Sequence, residues 1–96
     1  MAKGYWVSFY EEILDTDKLA AYAELAGPAA QAAGGTFVVR GGQSEAREGM
    51  AVNRTVVVEF ESYAAAQAAY DSAGYQAALE KLKGGVKRHF RITEGM

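Results

Sequence analysis

The sequence predicts an α+β fold: one four-stranded antiparallel sheet with helices on one face, in the order β-α-β-β-α-β. Three observations carry this reading. Four segments are rich in β-branched and aromatic residues, "GYWVSFY" (4–10), "TFVVR" (36–40), "NRTVVVEF" (53–60) and "VKRHFRITE" (86–94). Two alanine-rich stretches separate the first strand from the second and the third from the fourth, with apolar residues at three- and four-residue spacing. The second and third strands are joined by "GGQSEAREGMAV", a polar, glycine-bearing connection suited to a long hairpin loop.

Taken in order, the first strand is followed by Asp15 and Thr16, which offer N-cap oxygens to a helix. Leu19, Tyr22, Ala23, Ala26, Ala30 and Ala33 form its apolar stripe. Gly27-Pro28 is expected to kink or interrupt this helix, because proline cannot donate to the carbonyl four residues back. Gly34-Gly35 suits a left-handed C-cap and ends the helix. After the second and third strands, Ser62 caps a short helix whose Tyr63, Ala66 and Tyr70 share a face. Ser72 and Gly74 mark a break, and Tyr75, Leu79 and Leu82 resume the stripe until Gly84-Gly85 closes it before the last strand.

This order is the split βαβ, or ferredoxin-like, arrangement, with the first and third strands in the middle of the sheet. Those two strands are also the most apolar, so pattern and topology agree. Side chains alternate along a strand, setting Val56, Val58 and Phe60 against Thr55, Val57 and Glu59, and Tyr5, Val7 and Phe9 against Trp6, Ser8 and Tyr10. Helices can cover one face only. An open face carrying Trp6, Tyr10 and Val57 would be a large apolar patch, which predicts a homodimer packed sheet on sheet, with Trp6 as an anchor.

Composition bounds the rest. Ninety-six residues, half of them hydrophobic and 23% charged, give one domain over 1–96 with a modest core. The chain has no cysteine and one histidine, so disulfides, thiolate metal sites and a zinc cluster are not expected. Subunit association is the remaining support for so small a core. A net charge of −2 argues against a phosphate-backbone binder. Lys81, Lys83, Lys87, Arg88 and Arg91 form a basic cluster, read as a solvated helix end and edge strand rather than a nucleic-acid surface. No stretch reaches membrane-span length and no basic, apolar leader is present, so a cytoplasmic location is expected.

Several motifs together resemble one family. "KGYW" (3–6), "AAGGTFVVRGG" (32–42), "EG" (48–49), "RTVVVEFESYAAAQAAY" (54–70), "SAGYQAA" (72–78) and "ITEG" (92–95) are similar to the DUF1330 family, within the dimeric α/β-barrel superfamily. Glu61 and Ala73 stand where this family often has proline. The resemblance implies a dimer whose two sheets close into a barrel with the helices outside. The family has no assigned reaction. Its superfamily includes cofactor-free quinone-forming monooxygenases, haem-degrading oxygenases and lactone isomerases, which place ligands between sheet and helices. Such an analogy bears on fold, not on activity.

Candidate functional residues follow from residue chemistry. Arg40, at the end of an apolar strand and before Gly41-Gly42, could bind a carboxylate or enolate oxygen in a bidentate manner, or pair with Glu59 or Glu48. Glu59, in an apolar strand, is a candidate general base or the partner of Arg40 or Arg54. His89, the residue type that exchanges protons near neutral pH, is the candidate acid/base. It could ligate a haem from one side, but nothing else specifies a porphyrin pocket, and no cofactor is expected. Tyr22, Tyr70 and Tyr75, on the inner helix faces, can offer hydroxyls to a ligand while their rings pack in the core. The glycine pairs fit no phosphate-loop spacing and are read as turns. The expected function is binding of a small aromatic or carbonyl-bearing molecule between sheet and helices. If turnover occurs, cofactor-independent oxygenase or isomerase chemistry would use Arg40 for the oxyanion and His89 or Glu59 for the proton. The competing expectation is a non-catalytic binding or stress-associated module whose polar residues hold the dimer together.

Overall fold

The structure is a computed structural model and describes residues 2–49 and 54–96. Its elements are β1 (Gly4–Ile13), α1 (Thr16–Ala32), β2 (Thr36–Arg40), β3 (Arg54–Phe60), α2 (Tyr63–Tyr70), α3 (Ala73–Leu82) and β4 (Val86–Glu94). The four strands form one antiparallel sheet in the order β2-β3-β1-β4, so the first and third strands are central, as the ferredoxin-like topology requires. Asn53, the expected start of the third strand, and residues 50–52 of the connecting loop lie outside the described residues.

The helix ends follow from local chemistry. Asp15 Oδ1 accepts from the backbone N–H of Asp17 at 3.0 Å and of Lys18 at 3.1 Å, satisfying donors that the first helical turn leaves free. At the other end Gly34, with φ 95°, takes the left-handed conformation that ends α1. The helix runs on through Pro28 rather than stopping there. The bond this costs is the one to the Glu24 carbonyl, on an exposed stretch of helix where water can take its place. The break in the second helical region lies at Ser72. Its hydroxyl donates to the Ala69 carbonyl at 2.7 Å, closing α2, and accepts from the Tyr75 N–H at 3.3 Å, opening α3.

The helices cover the face of the sheet formed by Trp6, Ser8, Tyr10, Val56, Val58 and Phe60. The expectation that Trp6 and Tyr10 lie on the open face is therefore corrected: they are 4% and 2% exposed, beneath the helices. The physical reason is volume. The helices present small residues, Ala26, Ala30, Ala66, Ala69 and Ala78, all buried. Close approach of alanine faces leaves space that only large sheet residues fill, and Trp6, Phe60 and Phe90 fill it. The open face instead carries Tyr5, Val7, Phe9, Val57 and Glu59, aligned by the β1–β3 register.

Two register shifts matter for the site. One residue is inserted in β1 between Tyr10 and Glu12, opposite β4. Another is inserted in β2 between Phe37 and Val39, opposite β3. Strict alternation from Phe37 would send Arg40 to the open face. The bulge at Val38 reverses that parity, so Arg40 stands opposite Val56 on the helix-covered face.

Candidate ligand-binding site

Between the covered face of the sheet and α1 lies a cavity of about 250 Å³. Its walls are Trp6, Phe37, Val56, Val58 and Phe90 from the sheet, with Ala23 and Ala26 from α1. Trp6 is held in place by its neighbours. Its ring centroid lies 4.6 Å from Tyr75, 4.8 Å from Phe60 and 5.5 Å from Phe90, and its Nε1–H donates to the Ala66 carbonyl at 2.8 Å.

One corner of this apolar box is polar. Arg88 pairs in register with Tyr10, so both side chains enter on the same face. Its Nη1 donates to Tyr10 Oη at 3.0 Å and to Tyr22 Oη at 3.2 Å, and its Nη2 donates to Tyr75 Oη at 3.3 Å. The Tyr22 and Tyr75 hydroxyls are themselves 2.6 Å apart. The guanidinium also stacks 4.9 Å from the Phe90 ring centroid. Burial pushes the Tyr75 hydroxyl well above the ordinary tyrosine range; neighbouring Tyr22 adds to this, and Arg88 opposes it without reversing it. Burial raises Tyr10 in the same way. For Arg88 burial works against the charge, but the three phenol oxygens outweigh it and hold the guanidinium protonated.

Two more arginines line the cavity. The Arg40 guanidinium sits 4.2 Å over the Phe37 ring and lies along Gly27 of α1, where an added Cβ would meet Nη2 at 2.9 Å. Arg54 packs over Gly41, which has φ 70° and whose missing Cβ would fall 2.7 Å from the Arg54 Cζ. Glycine at 41 thus serves both a left-handed turn and the passage of a side chain. Among the described residues no carboxylate lines the cavity, and none of Arg40, Arg54 and Arg88 makes an ion pair.

The sequence profile of the family described as "Domain of unknown function (DUF1330)" matches residues 3–96. The chain belongs to the DUF1330 family. No curated protein matches it. Among solved structures, a protein of unknown function from Rhodopseudomonas palustris is similar at a TM-score of 0.79 and 16% identity, covering 99% of this chain and 83% of that one. A dimeric ferredoxin-like protein of unknown function from Thermobifida fusca gives 0.63 at 14% identity, covering 99% and 92%. An antibiotic biosynthesis monooxygenase-like protein from Nitrosomonas europaea gives 0.56 at 18% identity, covering 99% and 90%. At these identities the likenesses show the ferredoxin-like fold alone.

Of the residues singled out from sequence, this DUF1330 chain brings Arg40, Tyr22 and Tyr75 to the cavity. Tyr70 stays outside it, its ring packed 5.3 Å from Tyr75 and from Phe90. Glu59 does not meet Arg40. It accepts a hydrogen bond from Tyr5 Oη at 3.1 Å on the opposite face of the sheet. His89 is on that opposite face too, 3.2 Å from Glu11 and largely exposed. An Arg40–Glu59–His89 set is thus not assembled within one chain, because the bulge at Val38 turns Arg40 to the covered face while Glu59 and His89 stay on the open one. Arg88, read from sequence as part of a solvated basic cluster, is the polar centre of the cavity. Its signal was present: Val86, Arg88, Phe90 and Ile92 share a face, and an arginine within such an apolar series points inward. Tyr10 was missed for the reason that misplaced Trp6.

The buried phenols give a pH dependence. Tyr10 and Tyr75 have folded pKa values above the ordinary 10.0, so their contribution is complete below pH 10 and is lost as pH rises beyond it. Stability should hold level through neutral pH and then fall by about 1.4 kcal/mol per pH unit from Tyr75 alone, with Tyr10 adding to the slope. Alkaline denaturation followed by circular dichroism, alongside the tyrosinate absorbance, checks this. Full tyrosinate formation near pH 10 in a still-folded protein would contradict it.

Proposed function

We propose that this DUF1330 protein is a homodimeric binding protein that takes a small aromatic or carbonyl-bearing molecule into the cavity between sheet and helices. The observation that carries the reading is the combination of aromatic walls with a polar corner, Arg88 ringed by Tyr10, Tyr22 and Tyr75. Small-molecule sites have this character: apolar surroundings give affinity, and a few convergent polar groups give orientation. The same donors could stabilise an oxyanion, which is what an oxygenase or isomerase reaction would need. Among the described residues no histidine or carboxylate lines the cavity to move a proton, so the geometry favours binding over catalysis.

The dimer is supported by the open face, where Val7 pairs with Val57, and Phe9 and Val39 are 37% and 42% exposed. The T. fusca protein of the same fold is itself dimeric. Sheet-on-sheet packing would cover these residues and leave the cavity on the outer side of each sheet.

Trp6 makes the test direct. It is the sole tryptophan and it lines the cavity, so its fluorescence responds to occupancy. Titration with quinols, unsaturated lactones and aromatic carbonyl compounds should give a saturable change for at least one class. The same ligand should stabilise the fold by about 2.7 kcal/mol at a hundredfold excess over Kd. A panel that alters neither fluorescence nor melting temperature would sink the proposal.

A further inference from the structure

Resting on that binding reading, we infer that the ligand is an organic anion, a single-ring aromatic acid whose carboxylate is held by Arg88 and attracted by Arg40 and Arg54. The argument begins with charge. A chain with 10 basic and 12 acidic residues could pair its arginines readily, yet three of its cations border one cavity and, among the described residues, no acid does. Arg40 is exposed and Arg54 and Arg88 are half-buried, so water screens part of their repulsion, but like charges at the rim of an apolar space still disfavour one another. An anionic guest removes that repulsion.

Hydrogen-bond accounting points the same way. A guanidinium carries five N–H donors and no acceptor, and each tyrosine hydroxyl adds one donor. The three phenol oxygens accept from Arg88, and only one hydroxyl hydrogen is used between Tyr22 and Tyr75. The corner is therefore rich in donors and short of acceptors. Ser8, 3% exposed, also lines the cavity, and its hydroxyl can donate as well as accept there. A carboxylate supplies about four lone-pair sites and no donor, whereas an amide brings donors of its own into a site already full of them.

The backbone is arranged to hold these cations in place. The bulge at Val38 turns Arg40 inward, and Gly27 and Gly41 leave room for the Arg40 and Arg54 guanidinium groups. The size of the guest follows from volume. Pockets for drug-sized ligands span roughly 300–1,000 Å³, and this cavity is about 250 Å³. One ring between Trp6, Phe37 and Phe90 with a short acidic group fits that space.

The test compares acids with their neutral isosteres by titration calorimetry on the intact protein: benzoate against benzamide, and cinnamate against cinnamamide. The acid should bind roughly ten- to a hundredfold more tightly than its amide, the usual advantage of hydrogen bonds to a charged group. Its affinity should fall with added salt. Arg88→Met should bring the acid down to the level of the amide. Because that variant also strips partners from three hydroxyls, Arg40→Met and Arg54→Met serve as the second arm. Each should weaken acid binding several-fold, and by a larger factor than it weakens amide binding, without lowering the melting temperature, since it removes one of three like charges. Amides that match the acids overturn the anion inference but leave the binding proposal standing. Acid affinity indifferent to both Arg40→Met and Arg54→Met removes the two from the site. If neither series binds while a neutral quinol or lactone does, the inference falls alone. If nothing binds at all, both readings fall together.

Discussion

Trp6→Ala is expected to lower the unfolding free energy by about 3–5 kcal/mol, the cost of emptying a large aromatic site in a core that relaxes only in part. That is a large share of the roughly 5–15 kcal/mol available to a domain. The indole is buried against Phe60, Tyr75 and Phe90, and the substitution also removes the donor to the Ala66 carbonyl. The surrounding alanines cannot swell to fill the space. Urea denaturation followed by far-ultraviolet circular dichroism measures the loss, and each 1 kcal/mol should move the melting midpoint by about 4–8 °C. Trp6→Phe separates the contributions, since it keeps most of the packing and loses the hydrogen bond. A Trp6→Ala variant within 1 kcal/mol of the parent would contradict its place in the core. A loss that appears only on dilution would instead return Trp6 to a subunit interface.

The same residue shows what was legible in the sequence and what was not. Element order, strand positions, the caps at Asp15 and Ser62 and the break at Ser72 follow from local chemistry, and local chemistry is written in consecutive residues. The choice of covered face is not local. In β1 both faces are aromatic, Tyr5 and Phe9 on one side and Trp6 and Tyr10 on the other, and Ser8 makes the covered side look more polar than it is. The decision is made by the alanine faces of α1, α2 and α3, which demand bulk from the sheet. Arg88 was legible from the alternation of β4 but was hidden by its neighbours Lys87 and Arg91, which lie on the open face. Arg40 is harder. Nothing in "TFVVR" announces a bulge, and without it the alternation sends the guanidinium to the open face. Its entry into the cavity belongs to the pairing of β2 with β3, set by the register of two strands.

The open face carries the second large effect. If two copies pack sheet on sheet, Val57 lies near the centre of the contact, because it sits on a central strand between Val7 of β1 and Val39 of β2. Val57→Glu should then place two carboxylates, one from each copy, in an interface that repeats itself by two-fold symmetry. Juxtaposed like charges cost several kcal/mol, and every 1.4 kcal/mol is a factor of ten in the dissociation constant. The expected result is a dimer-to-monomer conversion at concentrations where the parent is fully dimeric, a loss of roughly a hundredfold or more in affinity. Light scattering coupled to size exclusion measures the mass directly. The monomer's own core should survive, since Val57 points away from Trp6, Phe60 and Tyr75, and the circular dichroism spectrum should be unchanged. Because the cavity lies on the other side of the sheet, a folded Val57→Glu monomer should also retain ligand binding. A variant that remains dimeric would move the interface to the sheet edges at β2 or β4. A monomer that loses the ligand would show that the cavity depends on the partner for its shape.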